Sequence, residues 1–263
     1  MLYEIYSATD PGMIRENNED AVAIDTPTGL CVLADGMGGY NAGEIASGMA
    51  CAFIKSEMSR WLMQVGKNAS AKDVRRALEI CVQNANHSIF NAANSNPQYT
   101  GMGTTLVVGV FQAGRLILGH IGDSRCYRIR GADFQQITKD HSLLQDQIDA
   151  GLITAEQALT SANKNLVTRA LGVEDTVLLD VMEHPVEDGD IYLLCSDGLS
   201  DMVQDGLIAD IMQANPTLEH TGKQLIQAAN EGGGRDNIAV ILTCAKAKPA
   251  PLKRGLLSRV LGK

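Results

Sequence analysis

Leu30-Cys31-Val32-Leu33-Ala34-Asp35-Gly36-Met37-Gly38-Gly39 sets the pattern for the whole chain: a short apolar run, then an acid, then glycine. The run Leu30–Ala34 reads as a strand, and an acid at its edge followed by glycine lets the backbone turn and come close to a ligand. The arrangement recurs on both sides. Upstream stand Asn18-Glu19-Asp20, and downstream Gly122-Asp123-Ser124-Arg125, Ser196-Asp197-Gly198 and Arg235-Asp236-Asn237. Asp35, Asp123 and Asp197 follow apolar runs, whereas Asp20 and Asp236 precede them. In antiparallel neighbours the end of one strand and the start of the next share a rim, so five carboxylates can converge at one edge. Ligands made only of oxygen suit hard divalent cations such as Mg²⁺ or Mn²⁺. Two such ions side by side can activate water for attack on phosphorus.

The 263 residues fit one large domain, and 45% hydrophobic content supplies a substantial core. A net charge of −9 argues against a nucleic-acid partner, since a phosphate backbone calls for a basic footprint. The six cysteines show no CxxC spacing and mostly sit in apolar runs, which disfavours zinc and a disulfide framework and suits a reducing cytoplasm. No signal peptide opens the chain, and no apolar stretch reaches the ~20 residues of a membrane span.

Strands are expected at Tyr3–Ala8, Ala21–Asp25 and Leu30–Ala34. A helix begins near Asn41 with Glu44 as its capping partner, and Ile45, Met49, Phe53, Trp61, Leu62 and Val65 mark its apolar face. A second runs from about Ser70 to Ala93, where Val74, Leu78, Cys81, Val82, Ala85 and Ile89 follow helical spacing. Thr105–Phe111, Arg115–Ile121, Cys126–Arg130 and Phe134–Ile137, punctuated by glycines, read as an antiparallel meander. His141 to Gly172 has poor periodicity. Strands return at Val177–Glu183, Ile191–Cys195 and Ile238–Thr243, with helices at about Gly206–Ala214 and Leu218–Glu231. Such blocks suggest helices packed outside a large antiparallel sheet system.

These segments, with Asp10-Pro11-Gly12-Met13-Ile14-Arg15, Gly43-Glu44-Ile45-Ala46-Ser47 and Gly101-Met102-Gly103-Thr104-Thr105 in order among them, resemble the PPM-type metal-dependent phosphatases, the protein phosphatase 2C family in its short bacterial form. The resemblance implies an α+β fold, an α-β-β-α sandwich of two antiparallel sheets flanked by helix pairs. It implies that Asp35 bridges two Mn²⁺ or Mg²⁺ ions with the Gly36 carbonyl on one of them, that Asp20 completes one shell, and that Asp197 and Asp236 complete the other. Asp123 and Asp197 would hold a weaker third ion. Glu19 would orient the attacking water, and Arg15 would grip the substrate phosphate, a task suited to guanidinium. The implied activity is hydrolysis of phosphoserine and phosphothreonine in proteins, opposing a bacterial Ser/Thr kinase, by a cytoplasmic monomer. No Cys-x5-Arg loop offers a covalent route, and Gly101–Thr105 lacks the lysine of a P-loop.

Relatives place a histidine where this chain has Met37 or Tyr40, so the proton donor to the leaving group is either a metal-bound water or His141, which serves equally well as a structural cap. Asp10 reads as a turn or hydrogen-bonding residue. The catalytic domain is expected over 1–244, with a flap over about 139–172 beside the site. Residues 245–263 carry Lys246, Lys248, Lys253, Arg254, Arg259 and Lys263 and no acid, a local +6 that leaves −15 on the remainder. Such a tail is solvated, or else touches an anionic membrane or an acidic partner. Two rivals stand beside the phosphatase: a silent scaffold that binds phosphoproteins, which the intact carboxylates oppose, and another two-metal phosphoesterase, which the acidic surface and the lack of His-rich metal motifs oppose.

Overall fold

A computed structural model describes residues 1–39, 42–66, 69–159, 166–214 and 217–247. The expected cap Asn41, Tyr40 and nearly all of the basic tail lie outside them. Among the described residues eleven strands fall into two sheets. The first is ordered β1 (Leu2–Asp10), β11 (Ile238–Lys246), β10 (Ile191–Cys195), β7 (Arg125–Arg130) and β8 (Asp133–Gln136). The second is ordered β2 (Asp20–Asp25), β3 (Leu30–Met37), β5 (Leu106–Gln112), β6 (Arg115–Ile121) and β9 (Asp180–Pro185), with β4 (Gly103–Thr104) paired to the end of β3. All the strand pairs are antiparallel.

Alternation along each strand builds the layers, because successive side chains face opposite ways. On β3, Leu30, Val32 and Ala34 pack under helices α1 (Ala42–Val65) and α2 (Ala71–Ser95). Cys31 and Leu33 meet Tyr192, Leu194 and Ile241 of the other sheet. Leu193, Cys195, Val240 and Leu242 point outward against α5 (Asp197–Ser200), α6 (Asp205–Ala214) and α7 (Leu218–Glu231). Helices, sheet, sheet, helices: this is the expected α-β-β-α sandwich.

Three expectations need correcting. The apolar face of α1 is marked only in part by its large residues: Leu62 is buried and Met49, Phe53 and Trp61 pack against the core. The buried positions are mostly small, Ala42, Gly43, Ala46, Ser47, Ala50 and Cys51, with Ile54, Met58 and Leu62, while Ile45 and Val65 are exposed. Small residues let the first turns of the helix lie close against the sheet. The four-strand meander is really two hairpins. β5–β6 belongs to one sheet and β7–β8 to the other, and the chain crosses between sheets at Gly122-Asp123-Ser124. The last strand runs past Thr243 to Lys246, pairing with Leu2 and burying Ala245, so the folded body extends beyond the expected boundary at 244.

The irregular segment contains α3 (Leu143–Asp149) and α4 (Ala155–Leu159) and is tied down at its base. Thr168 N donates to His141 O at 2.8 Å, and Thr104 and Leu171 exchange backbone hydrogen bonds at 3.1 and 2.8 Å. Arg125 grips Asp140 through Nε and Nη2 at 3.0 and 2.7 Å, so this arginine of the Gly-Asp-Ser-Arg segment anchors the start of the flap.

Candidate metal centre

The rim where the two sheets meet gathers the acids. Asp20 opens β2 directly opposite Asp35 of β3 in the antiparallel register. Asp123 lies in the crossover after β6, Asp197 starts α5 just after β10, and Asp236 precedes β11. Burial, and then the repulsion of Asp20, Asp197, Asp123 and Asp236, acts on Asp35, so each of these four acids lies within electrostatic reach of it.

Backbone and side-chain clamps hold each piece. Thr104 Oγ1 donates to Asp35 O at 2.8 Å, Thr105 N donates to the same oxygen at 2.9 Å, and Asp35 N donates to Thr105 Oγ1 at 3.1 Å. The Gly-Met-Gly-Thr-Thr segment is therefore a buckle on β3. Ser196, fully buried, accepts from Ala239 N at 2.9 Å and donates to Asp20 Oδ2 at 2.6 Å. Asn237 accepts from Glu19 N at 2.8 Å and donates to Pro11 O and Asn17 O at 3.0 and 2.8 Å, joining three points of the β1–β2 loop to the start of β11. Neither Gly36 nor Gly198 provides a positive-φ turn. They are glycine because a Cβ would lie 2.2 Å from Gly43 O in the first case and 1.9 Å from Asn237 O in the second.

Crowding these acids has an electrostatic consequence. Burial first, then repulsion from its neighbours, pushes Asp20 up to about 7 against the usual carboxylate range. The same causes hold Asp35 and Asp197 well above that range, and burial with Asp140 nearby raises Asp123 to about 6. Burial also raises Glu19, partly offset by Arg15. Arg15 Nη2 lies 2.9 Å from Asp236 Oδ2, with its side chain 53% exposed.

Asp20 Oδ1 is buried without a hydrogen-bond partner. An orphaned, buried carboxylate oxygen among like charges is what a hard cation would relieve, and an all-oxygen donor set suits Mg²⁺ or Mn²⁺. Among the described residues no group of three or more His, Cys, Asp and Glu side chains stands close enough together to hold a metal ion as placed. What fits the cation is the chemistry of the oxygen donors and the orphaned Asp20 oxygen.

His141 is occupied on both ring nitrogens. Its Nδ1 accepts from Gly122 N at 3.0 Å, which leaves the proton on Nε2 to face Asp180 Oδ2 at 3.1 Å. Arg169 Nη1 holds the same aspartate at 2.8 Å. Of the two roles open to it in the sequence, the structural cap is the one its contacts fit. Asp10 Oδ1 accepts from Gly12 N and Asn230 Nδ2, as expected of a turn residue. The roles of Ser196, Asn237 and Thr105 went unread, because their partners lie far away in the chain.

An acidic rim on an α-β-β-α sandwich defines a class, and the comparisons agree. Residues 15–242 match the family described as protein phosphatase 2C. The serine/threonine phosphatase stp of Listeria innocua is 35% identical over 237 residues, covering 89% of this chain and 92% of that protein. The serine/threonine protein phosphatase PstP of Mycobacterium tuberculosis is 40% identical over 235 residues, 89% of this chain and 43% of the longer relative. The PstP catalytic domain solved with two manganese ions superposes with a TM-score of 0.83 at 36% identity, covering 94% of this chain and 99% of that one. The chain belongs to the protein phosphatase 2C family.

Proposed function

We propose that this protein is a Mn²⁺- or Mg²⁺-dependent phosphatase that hydrolyses phosphoserine and phosphothreonine in proteins and so reverses a Ser/Thr kinase. The observation that carries the reading is the buried, unpartnered Asp20 Oδ1 among mutually repelling carboxylates, with the Arg15 guanidinium on Asp236, one of those acids. The serine/threonine phosphatase names of the relatives and the two manganese ions of PstP support it.

Asp35 and the Gly36 carbonyl would hold the cations together with Asp20, Asp197 and Asp236, and Asp123 with Asp197 would hold a further one more weakly. When bound, the cations supply Lewis acidity and a water of lowered pKa, so no covalent phospho-enzyme is needed. Glu19 orients the attacking water. Arg15 is half-exposed, so it can turn from Asp236 to a substrate phosphate without leaving a buried charge unpaired. Ser196 keeps Asp20 aimed, and the Thr104–Thr105 buckle keeps Asp35 in place. The flap expected over about 139–172, of which 160–165 lie outside the described residues, would meet the protein substrate. The cytoplasm is the site of action. Five of the six free thiols are buried, and among the described residues no helix is long and apolar enough to cross a membrane.

Hydrolysis of p-nitrophenyl phosphate and of a phosphothreonine peptide, with Mn²⁺, Mg²⁺ or EDTA and with Asp197→Asn as control, tests the reading. Turnover that requires metal and disappears in the variant is expected. Metal binding without turnover on either compound would contradict it and favour the silent scaffold.

A further inference from the structure

The loop that carries Arg15 presents two large apolar side chains to solvent immediately before it. Met13 is 67% exposed and Ile14 is 69% exposed, and among the described residues no other two consecutive large hydrophobics are exposed. Single exposed apolar side chains are ordinary on protein surfaces. A consecutive pair on a fixed backbone beside a catalytic rim is not of that kind.

The loop is pinned, so the pair cannot easily fold back to hide. Met13 N donates to Gly234 O at 2.7 Å, and Gly12 N donates to Asp10 Oδ1 at 2.9 Å. Asn237 Nδ2 holds Pro11 O and Asn17 O, one on each side of the exposed residues. The next side chain along, Arg15, reaches Asp236 of the acidic rim. The apolar pair therefore directly precedes the phosphate-gripping residue on a loop already held by hydrogen bonds, which lowers the ordering cost when a ligand lies on it.

We infer that Met13 and Ile14 form a docking shelf for an apolar side chain of the substrate, one or two residues from the phosphorylated serine or threonine. The inference rests on the proposed phosphatase activity and narrows its substrate class. An extended peptide advances about 3.3 Å per residue, close to the spacing of successive Cα atoms in the loop. With the phosphate on Arg15, the neighbouring substrate residue passes over Ile14 and Met13. A leucine or valine there covers apolar surface that a serine or aspartate would leave wet.

Steady-state kinetics on two phosphothreonine peptides tests this. The peptides differ only in carrying leucine or serine at the two positions on each side of the phosphothreonine, and p-nitrophenyl phosphate serves as a substrate without flanks. The enzymes are wild type, Met13→Ser/Ile14→Ser, and Ile14→Ser alone, which leaves the Met13 side chain beside Gly234 undisturbed. Wild type is expected to prefer the leucine peptide by about tenfold in kcat/KM, the scale of one partly covered apolar side chain. The preference should fall to within about twofold in the double variant, with turnover of p-nitrophenyl phosphate unchanged in all three. Equal rates on the two peptides in wild type, or a preference that survives the double substitution, would overturn the inference while leaving the phosphatase reading intact. No turnover on any substrate would overturn the phosphatase reading, and this inference with it.

Discussion

Asn237→Ala should damage stability and metal binding together. Asn237 is 5% exposed and its side chain makes three hydrogen bonds, with Glu19 N at 2.8 Å, Pro11 O at 3.0 Å and Asn17 O at 2.8 Å. Each contributes about 1 kcal/mol net, and alanine leaves the loop groups to be rehydrated where water can enter, so the loss is about 2–4 kcal/mol. For a chain of this size about 1 kcal/mol moves Tm by roughly 2–4 °C, which predicts a fall on the order of 5–15 °C. The loop released this way carries Arg15, Glu19 and Asp20, so the Mn²⁺ concentration for half-maximal activity should also rise several-fold. Differential scanning fluorimetry in EDTA and a Mn²⁺ titration of p-nitrophenyl phosphate hydrolysis read the two effects. A Tm within 2 °C of wild type and an unchanged Mn²⁺ requirement would refute the idea that Asn237 fastens the site.

His141→Ala should lower Tm yet reduce turnover of phosphothreonine peptide and p-nitrophenyl phosphate by similar factors, since both ring nitrogens are already engaged in holding the flap base. A much larger loss on the peptide, whose leaving group needs a proton, would restore His141 as general acid. A further prediction concerns pH in the metal-free protein. Asp20 is raised to about 7 from an unfolded value near 4, so its contribution is fully present below about pH 4 and is lost as pH rises towards 7. Asp20→Asn should therefore gain stability relative to wild type across that window in EDTA, by about 2–4 kcal/mol at neutral pH. A stability difference between the two that stays flat from pH 4.5 to 7.5 would contradict this.

The sandwich was legible because its signals are local. α2 follows the spacing of Val74, Leu78, Val82 and Ile89, and α7 (Leu218–Glu231) matches its expected ends. The five acids were legible as strand-edge residues, and they stand at or next to strand ends. What escaped was decided across the chain. Gly122-Asp123-Ser124 looks like any hairpin turn in sequence, and only sheet pairing shows that the chain changes layers there. The glycines after Asp35 and Asp197 looked like turn residues, whereas what excludes a side chain is a carbonyl from another segment, Gly43 for Gly36 and Asn237 for Gly198. The same holds for Ser196, whose partner Asp20 lies 176 residues earlier. Local spacing carries no record of such contacts. On α1, hydrophobic size found Met49, Phe53, Trp61 and Leu62 but misled at Ile45 and Val65, and it missed the small residues that pack closest to β3.

The most direct test of the central claim is a crystal grown with Mn²⁺ and an anomalous difference map calculated at the manganese edge. Two strong peaks are predicted, both within ligand distance of Asp35, one also near Asp20 and the other near Asp197 and Asp236. Peaks lying elsewhere, or an acidic rim that stays without manganese at millimolar concentrations, would contradict the account.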